Sequence, residues 1–222
     1  MIRFLILLII ILVPLPVYAL QATINLPNSE VLDENDILLK DVTSFYSKTN
    51  IGNTSPNITY GIGHLSEISI GVPIITDFND SPIVKTSIEG KKVFTIVDKN
   101  NRLTVGGGIS PYLNKSICPE GFIFAHGTRK IEKTNTSISL GGYIAGDKTL
   151  FNNGGFLAIL DQKIYKDVSV LSEYTTGNGS RSNFSVGLRY KIKDVSITNS
   201  IILPNHHNNV GFQITVAKLI RR

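Results

Sequence analysis

The chain has 222 residues, a formal net charge of +5 and an isoelectric point near 9.2. One domain is the natural expectation at that length. The positive charge is spread as single Lys and Arg residues with no basic helix or cluster, which argues against a nucleic-acid-binding surface.

At the N-terminus Arg3 precedes an unbroken apolar run, Phe4 to Val13, followed by Pro14, Pro16 and Val17-Tyr18-Ala19. A basic start, a short apolar core and small residues before a cut predict a cleavable secretory signal over 1–19, cut after Ala19. The run is too short to span a bilayer as a helix, and no Cys stands at the cut to carry a lipid anchor. The only cysteine, Cys118, excludes an internal disulfide framework, so stability has to come from sheet pairing and from whatever covers the apolar surface. Residues 20–36, with Pro27, Asn28, Asp33, Glu34 and Asp36, form an irregular polar lead-in.

From residue 37 onward strand-like segments are separated by Gly, Asn, Pro, Asp and Ser clusters, and no amphipathic helical period of useful length occurs. In the first segment, Ile37 to Ser47, adjacent Lys40 and Asp41 force one charge onto the apolar side. Ile58, Tyr60 and Ile62, then Ile68, Ile70 and Val72, predict a hairpin around His64-Leu65-Ser66. Ile83 to Asp98 reads as one long strand or as two segments turned at Lys91-Lys92, and the strand count rests on taking it as one; Leu103 to Ser110 is the next strand. Gly106-Gly107-Gly108 has no following helix and is a small-residue patch, not a phosphate loop.

Further strands are expected at about Phe122 to Thr128, Ser137 to Ala145, Phe156 to Gln162 and Val168 to Thr175. The clearest stretch begins at Asn183. There Phe184, Val186, Leu188, Tyr190 and Ile192 alternate with Asn183, Ser185, Gly187, Arg189 and Lys191. A two-residue turn at Lys193-Asp194 pairs Ile192 with Val195, Tyr190 with Ile197 and Val186 with Ile201, placing the apolar residues of both strands on one surface. Asn199 falls on that apolar side. Val210, Phe212, Ile214 and Val216 make the last strand.

Short charged turns alternate with longer loops (near 50, 78, 115, 149, 179 and 206), and many segments run to about nine to eleven residues, the length of a membrane-crossing strand. About twelve strands with both ends at the tight-turn side define an all-β, antiparallel up-and-down transmembrane β-barrel over 37–222. Backbone polar groups in hydrocarbon must all be paired, so such a sheet has to close. The alternative is a secreted β-sandwich, which buries the apolar face instead. On the barrel reading Phe184, Val186, Leu188, Tyr190, Ile197, Ile201, Phe212 and Ile214 face lipid. Glu173, Arg189, Lys191 and Gln213 then face the lumen, where they set up a field felt by solutes or, on the slightly favoured reading, Glu173 and Arg189 neutralise one another inside a filled barrel.

The hairpin Tyr60-Gly61-Ile62-Gly63 to Glu67-Ile68-Ser69-Ile70-Gly71-Val72-Pro73 resembles those of small bacterial outer-membrane β-barrels. So does the pair Ser172-Glu173-Tyr174 and Ser185-Val186-Gly187-Leu188-Arg189-Tyr190, and among such barrels the chain resembles the YjbH-like group associated with exopolysaccharide production. The chain departs from the usual aromatic ending, finishing Leu219-Ile220-Arg221-Arg222. The resemblance implies a Gram-negative outer-membrane protein acting as a narrow pore or structural envelope component, linked to passage of polysaccharide or small solutes. It implies outer-membrane lipid, the barrel-assembly machinery and envelope polysaccharide as partners.

No cofactor, metal site or catalytic residue is expected. His206-His207 lies in an Asn-rich loop without a carboxylate or Cys at ligand spacing. A membrane-embedded hydrolase using His126 is the enzymatic alternative, without a recognisable nucleophile motif to support it. A sandwich would in turn be a secreted or surface protein that binds a ligand through its loops.

Overall fold

The computed structural model describes residues 24–76, 81–115, 118–146, 153–177, 182–205 and 209–222, so the expected signal segment and His206-His207 lie outside the described residues. The strands are β1 (Ile37–Tyr46), β2 (Ile51–Gly63), β3 (Ser66–Gly71), β4 (Ile74–Thr76), β5 (Ile83–Val84), β6 (Ser87–Thr95) and β7 (Asn101–Ser110). They continue as β8 (Glu120–Ile131), β9 (Thr136–Gly146), β10 (Asn153–Tyr165), β11 (Val168–Thr175), β12 (Asn183–Ile192), β13 (Val195–Pro204) and β14 (Gly211–Ile220).

These pieces build twelve staves. Pro73, which has no N–H to give, interrupts one stave between β3 and β4, yet β2 pairs with both pieces and Val72 N–H donates to Pro56 O at 2.9 Å. The next stave, β5 with β6, is held across the gap by Lys85 N–H donating to Pro73 O at 2.9 Å. The long strand expected from Ile83 is therefore present with a break at 85–86.

Each stave pairs antiparallel with its sequence neighbours, and β1 pairs with both β2 and β14, so the sheet closes. Closure overturns the β-sandwich alternative, because a ring with no free edge has no second layer for its outer face to bury. The register follows the expected turn at 193–194: Ile192 faces Val195, Tyr190 faces Ile197 and Val186 faces Ile201.

Hydrogen-bonded rows climb around the wall. The row through Leu39, Ile58, Ile70, Ile88, Ile109, Gly121 and Gly146 starts near the tight-turn end of β1 and finishes on the last residue of β9, at the long-loop end. A climb of about one residue per stave is the stagger that tilted strands need to close a barrel.

The apolar side chains of the alternating strands look outward. Phe184, Val186, Leu188, Tyr190, Ile201, Phe212 and Ile214 are between 38% and 53% exposed, and Ile197 is half-buried. Inside stand short hydroxyls, among them Thr59, Thr104, Ser139, Ser185, Thr198 and Thr215, all buried.

The interior is not uniformly polar. Phe124, Tyr143, Leu157 and Ile159 make one inner apolar cluster, and Leu32, Leu38, Ala217 and Leu219 another. Of the adjacent charges in β1, Lys40 turns inward beside the cavity and Asp41 outward, since successive side chains on a strand alternate.

Some boundaries differ from the sequence reading. The connection after β1 is a four-residue turn, 47–50, because β2 begins at Ile51 instead of near Ile58. β8 extends through Arg129 and Lys130 to Ile131, and β10 through Lys163 to Tyr165. Charges that read as turns belong to strand ends, where side chains lean into solvent.

Because the inner clusters pack and the outer columns do not, Leu157→Ala is expected to cost about 2–5 kcal/mol of stability, whereas Ile138→Ala, on the outer face, costs much less. Urea titration of both variants in the same detergent checks the difference.

Candidate functional site in the barrel lumen

The lead-in just before β1 does not stay outside the wall. Residues 24–36 run through the lumen, and wall side chains from six strands reach their backbone. Gln213 Nε2–H on β14 donates to Ile24 O at 2.9 Å. Glu173 on β11 accepts the backbone N–H groups of Asn25 and Leu26, at 2.8 and 3.2 Å. His126 Nε2 on β8 lies 3.0 Å from Pro27 O and, facing a carbonyl, must carry the proton.

Further along, Lys91 Nζ on β6 donates to Asn28 O at 3.1 Å, and Arg102 on β7 donates to Ser29 O at 3.1 Å. Glu67 on β3 accepts the N–H of Leu32 at 3.1 Å. The segment then meets the wall itself: Asn35 N–H donates to Gly61 O and Gly61 N–H to Asp36 O, at 2.9 and 3.0 Å. Gly61 is required there, since a Cβ would collide with Asp33 O and with Leu32 Cβ.

An irregular segment has no ladder of its own, so its backbone groups must find partners elsewhere once buried. The inward charges and amides supply them. Three inner ion pairs balance part of the remaining charge: Lys91 with Glu67 at 3.2 Å, Lys85 with Glu120 at 2.7 Å and Arg189 with Asp161 at 2.7 Å. Tyr112 O–H also donates to Glu120 at 2.6 Å, and Lys85 Nζ sits 4.6 Å from the Tyr112 ring centre.

Between the segment and the β1–β8 side of the wall lies a cavity of about 370 Å³. Asn53, Asn57, Ser69, Ser87, Lys40 and Glu89 contribute to its lining, with Phe122, Phe124 and Pro27 beside them. Lys40 and Glu89 are in no ion pair among the described residues. Asn53 Oδ1 is buried and, among the described residues, receives no hydrogen bond.

All four residues expected in the lumen lie on the inward face. Glu173 and Gln213 are buried against the segment, Arg189 is mostly buried and Lys191 is partly buried. The expected mutual neutralisation of Glu173 and Arg189 gives way to separate partners, because Asp161 on the inner face of β10 comes within reach of Arg189 and the lead-in claims Glu173.

His126 is inside too, 1% exposed, stacked at 5.9 Å on Phe124. With Nε2 donating to Pro27, its neutral ring accepts from Thr128 Oγ1 at 3.2 Å, and Thr128 accepts in turn from Ser139 at 2.7 Å. That geometry uses both ring nitrogens to hold the segment in place.

Sequence reasoning did not single out Glu67, Lys91, Arg102 or the Lys85–Glu120 pair. Their signal was present, since Glu67 shares its side of the strand with Ser69, opposite Ile68 and Ile70.

No protein-family model and no curated protein sequence matches the chain. Solved structures do. A KdgM porin superposes with a TM-score of 0.67 at 11% identity, covering 83% of this chain and 99% of that one. A KdgM porin in complex with disordered oligogalacturonate gives 0.65 at 12% identity, over 84% and 99%. The Acinetobacter baumannii outer membrane protein Omp33 gives 0.54 at 10% identity, over 84% and 99%. The fold is thus the closed twelve-stranded barrel of bacterial outer-membrane porins.

Glu173 gives the segment two hydrogen bonds to a charged acceptor, each worth about 1.5–3 kcal/mol. Glu173→Ala is expected to free residues 24–32, so that limited proteolysis cuts there at least about tenfold faster than in the parent chain while the barrel stays resistant.

Proposed function

We propose that the protein is exported through its 1–19 segment, inserted into the outer membrane by the barrel-assembly machinery, and admits small hydrophilic solutes, saccharides above all. The N-terminal segment sets the width of the passage. The outward columns, including Phe184, Val186, Leu188, Tyr190, Ile197, Ile201, Phe212 and Ile214, then face acyl chains, and Glu173, Arg189, Lys191 and Gln213 face the lumen.

The observation that carries this reading is the chemistry of the cavity. Amides and hydroxyls line it beside two phenylalanine rings, and most of the inner charge is already paired. Such a surface offers hydrogen bonds to hydroxyls and an apolar face to sugar C–H groups, while holding no continuous track of one sign. The exopolysaccharide association of the YjbH-like barrels and the oligogalacturonate in the KdgM complex support the same solute class.

Reconstituted protein is expected to let mono- and disaccharides swell proteoliposomes and to show small planar-bilayer conductance with weak ion selectivity. Glu173→Ala should raise the conductance by loosening the segment. Strong selectivity for one sign of ion would overturn the neutral-solute reading. Absence of conductance and swelling in both proteins would leave a sealed structural barrel, and a chain soluble without detergent would remove the membrane location.

A further inference from the structure

The outer surface is apolar almost everywhere, as along β12, where Phe184, Val186, Leu188 and Tyr190 follow one another unbroken. It is interrupted by Lys92 on β6, whose ammonium lies over the Phe94 ring, and by several polar residues together on one face. The outward column of β1 reads Leu39, Asp41, Thr43, Phe45, and that of β13 reads Ile197, Asn199, Ile201. Between them β14 presents Ile214 and Val216, 50% and 40% exposed.

Asp41 accepts from Thr54 Oγ1 at 3.1 Å and from Thr43 Oγ1 at 3.4 Å. An ionised carboxylate has about four lone-pair sites, so half of its capacity is left over. Asn199 is exposed, and among the described residues no hydrogen bond reaches its side-chain amide. Polar groups left this way in hydrocarbon are costly, which favours a protein surface over lipid as their neighbour.

The register sets these two residues at one height. Asn199 lies in a row with Ile214 and Thr43. Rows climb toward the long-loop end by about one residue per stave. Two staves on, Thr43 therefore stands higher than Asn199, and the outward residue two positions nearer the tight-turn end, Asp41, is level with it. A two-fold axis parallel to the barrel, passing over Ile214 and Val216, keeps heights and exchanges left with right. It brings each Asn199 against Asp41 of a second copy, in two identical amide-to-carboxylate bonds around an apolar centre.

We propose that the β13–β14–β1 face is the docking surface for a second copy of this chain, making a two-fold dimer within the membrane. The proposal rests on the membrane location argued above. A lipid headgroup could engage Asp41 alone, but only a copy of this face supplies an amide donor at the matching height.

The test uses the full chain with Cys118→Ser in proteoliposomes and in density-matched detergent. Adding Asp41→Cys and Asn199→Cys together should give disulfide-linked dimers, while a Cys pair at Ile138 and Val170, likewise two staves apart but on another face, should not. In sedimentation equilibrium, Asn199→Asp sets carboxylate against carboxylate and should weaken the dimer by about tenfold or more, and the exchanged pair Asp41→Asn with Asn199→Asp should restore it. A gel mobility that differs before and after boiling confirms that each variant is folded.

Wild-type chain that is membrane-inserted yet monomeric, or a dimer or trimer indifferent to Asn199→Asp, would overturn the dimer and leave the membrane reading intact. Solubility without detergent would overturn both.

Discussion

Everything in this molecule depends on the ten-residue ladder between β1 and β14, which joins the ends of the sheet. A backbone N–H or C=O without water must find a partner in the chain. Once Ile37 pairs with Ile220 and Tyr46 with Gly211, no stave has a free edge. That closure separates an inside from an outside, and it decides what each alternating strand means: the apolar residues are free to look outward because the sheet has no other layer to bury them against.

Closure also creates a difficulty. A ring of twelve staves is wider than its inward serines and threonines can fill. The space is taken up in two ways. On one side large inner residues, Phe124, Tyr143, Leu157 and Ile159, pack with Leu26 of the lead-in. Across the lumen the lead-in itself is drawn in, its carbonyl and N–H groups answered by Gln213, Glu173, His126, Lys91, Arg102 and Glu67.

Buried charge is tolerable here because it is paired or hydrogen-bonded. An uncompensated charge removed from water costs several kcal/mol, and the wall meets that cost with Lys91–Glu67, Lys85–Glu120 and Arg189–Asp161. On the proposed reading, a passage in which most charges are paired discriminates more by hydrogen bonding and width than by net field, with the segment setting the width.

Strand alternation, the 193–194 turn, the barrel class and the inward side of Glu173, Arg189, Lys191 and Gln213 were all legible in the residues. Those are local properties: period two, turn chemistry and strand length act between near neighbours along the chain. The partners of those residues were not legible. Arg189 meets Asp161 across 28 positions and Glu173 meets Asn25 across 148, and both distances depend on how the ring closes and where the lead-in enters it. Lys40 and Asp41 show the division most plainly. Alternation alone guarantees that one of them looks outward, whereas which one does so, and what stands level with it on β13, follows from the stagger of the closed sheet, a property that no single strand possesses.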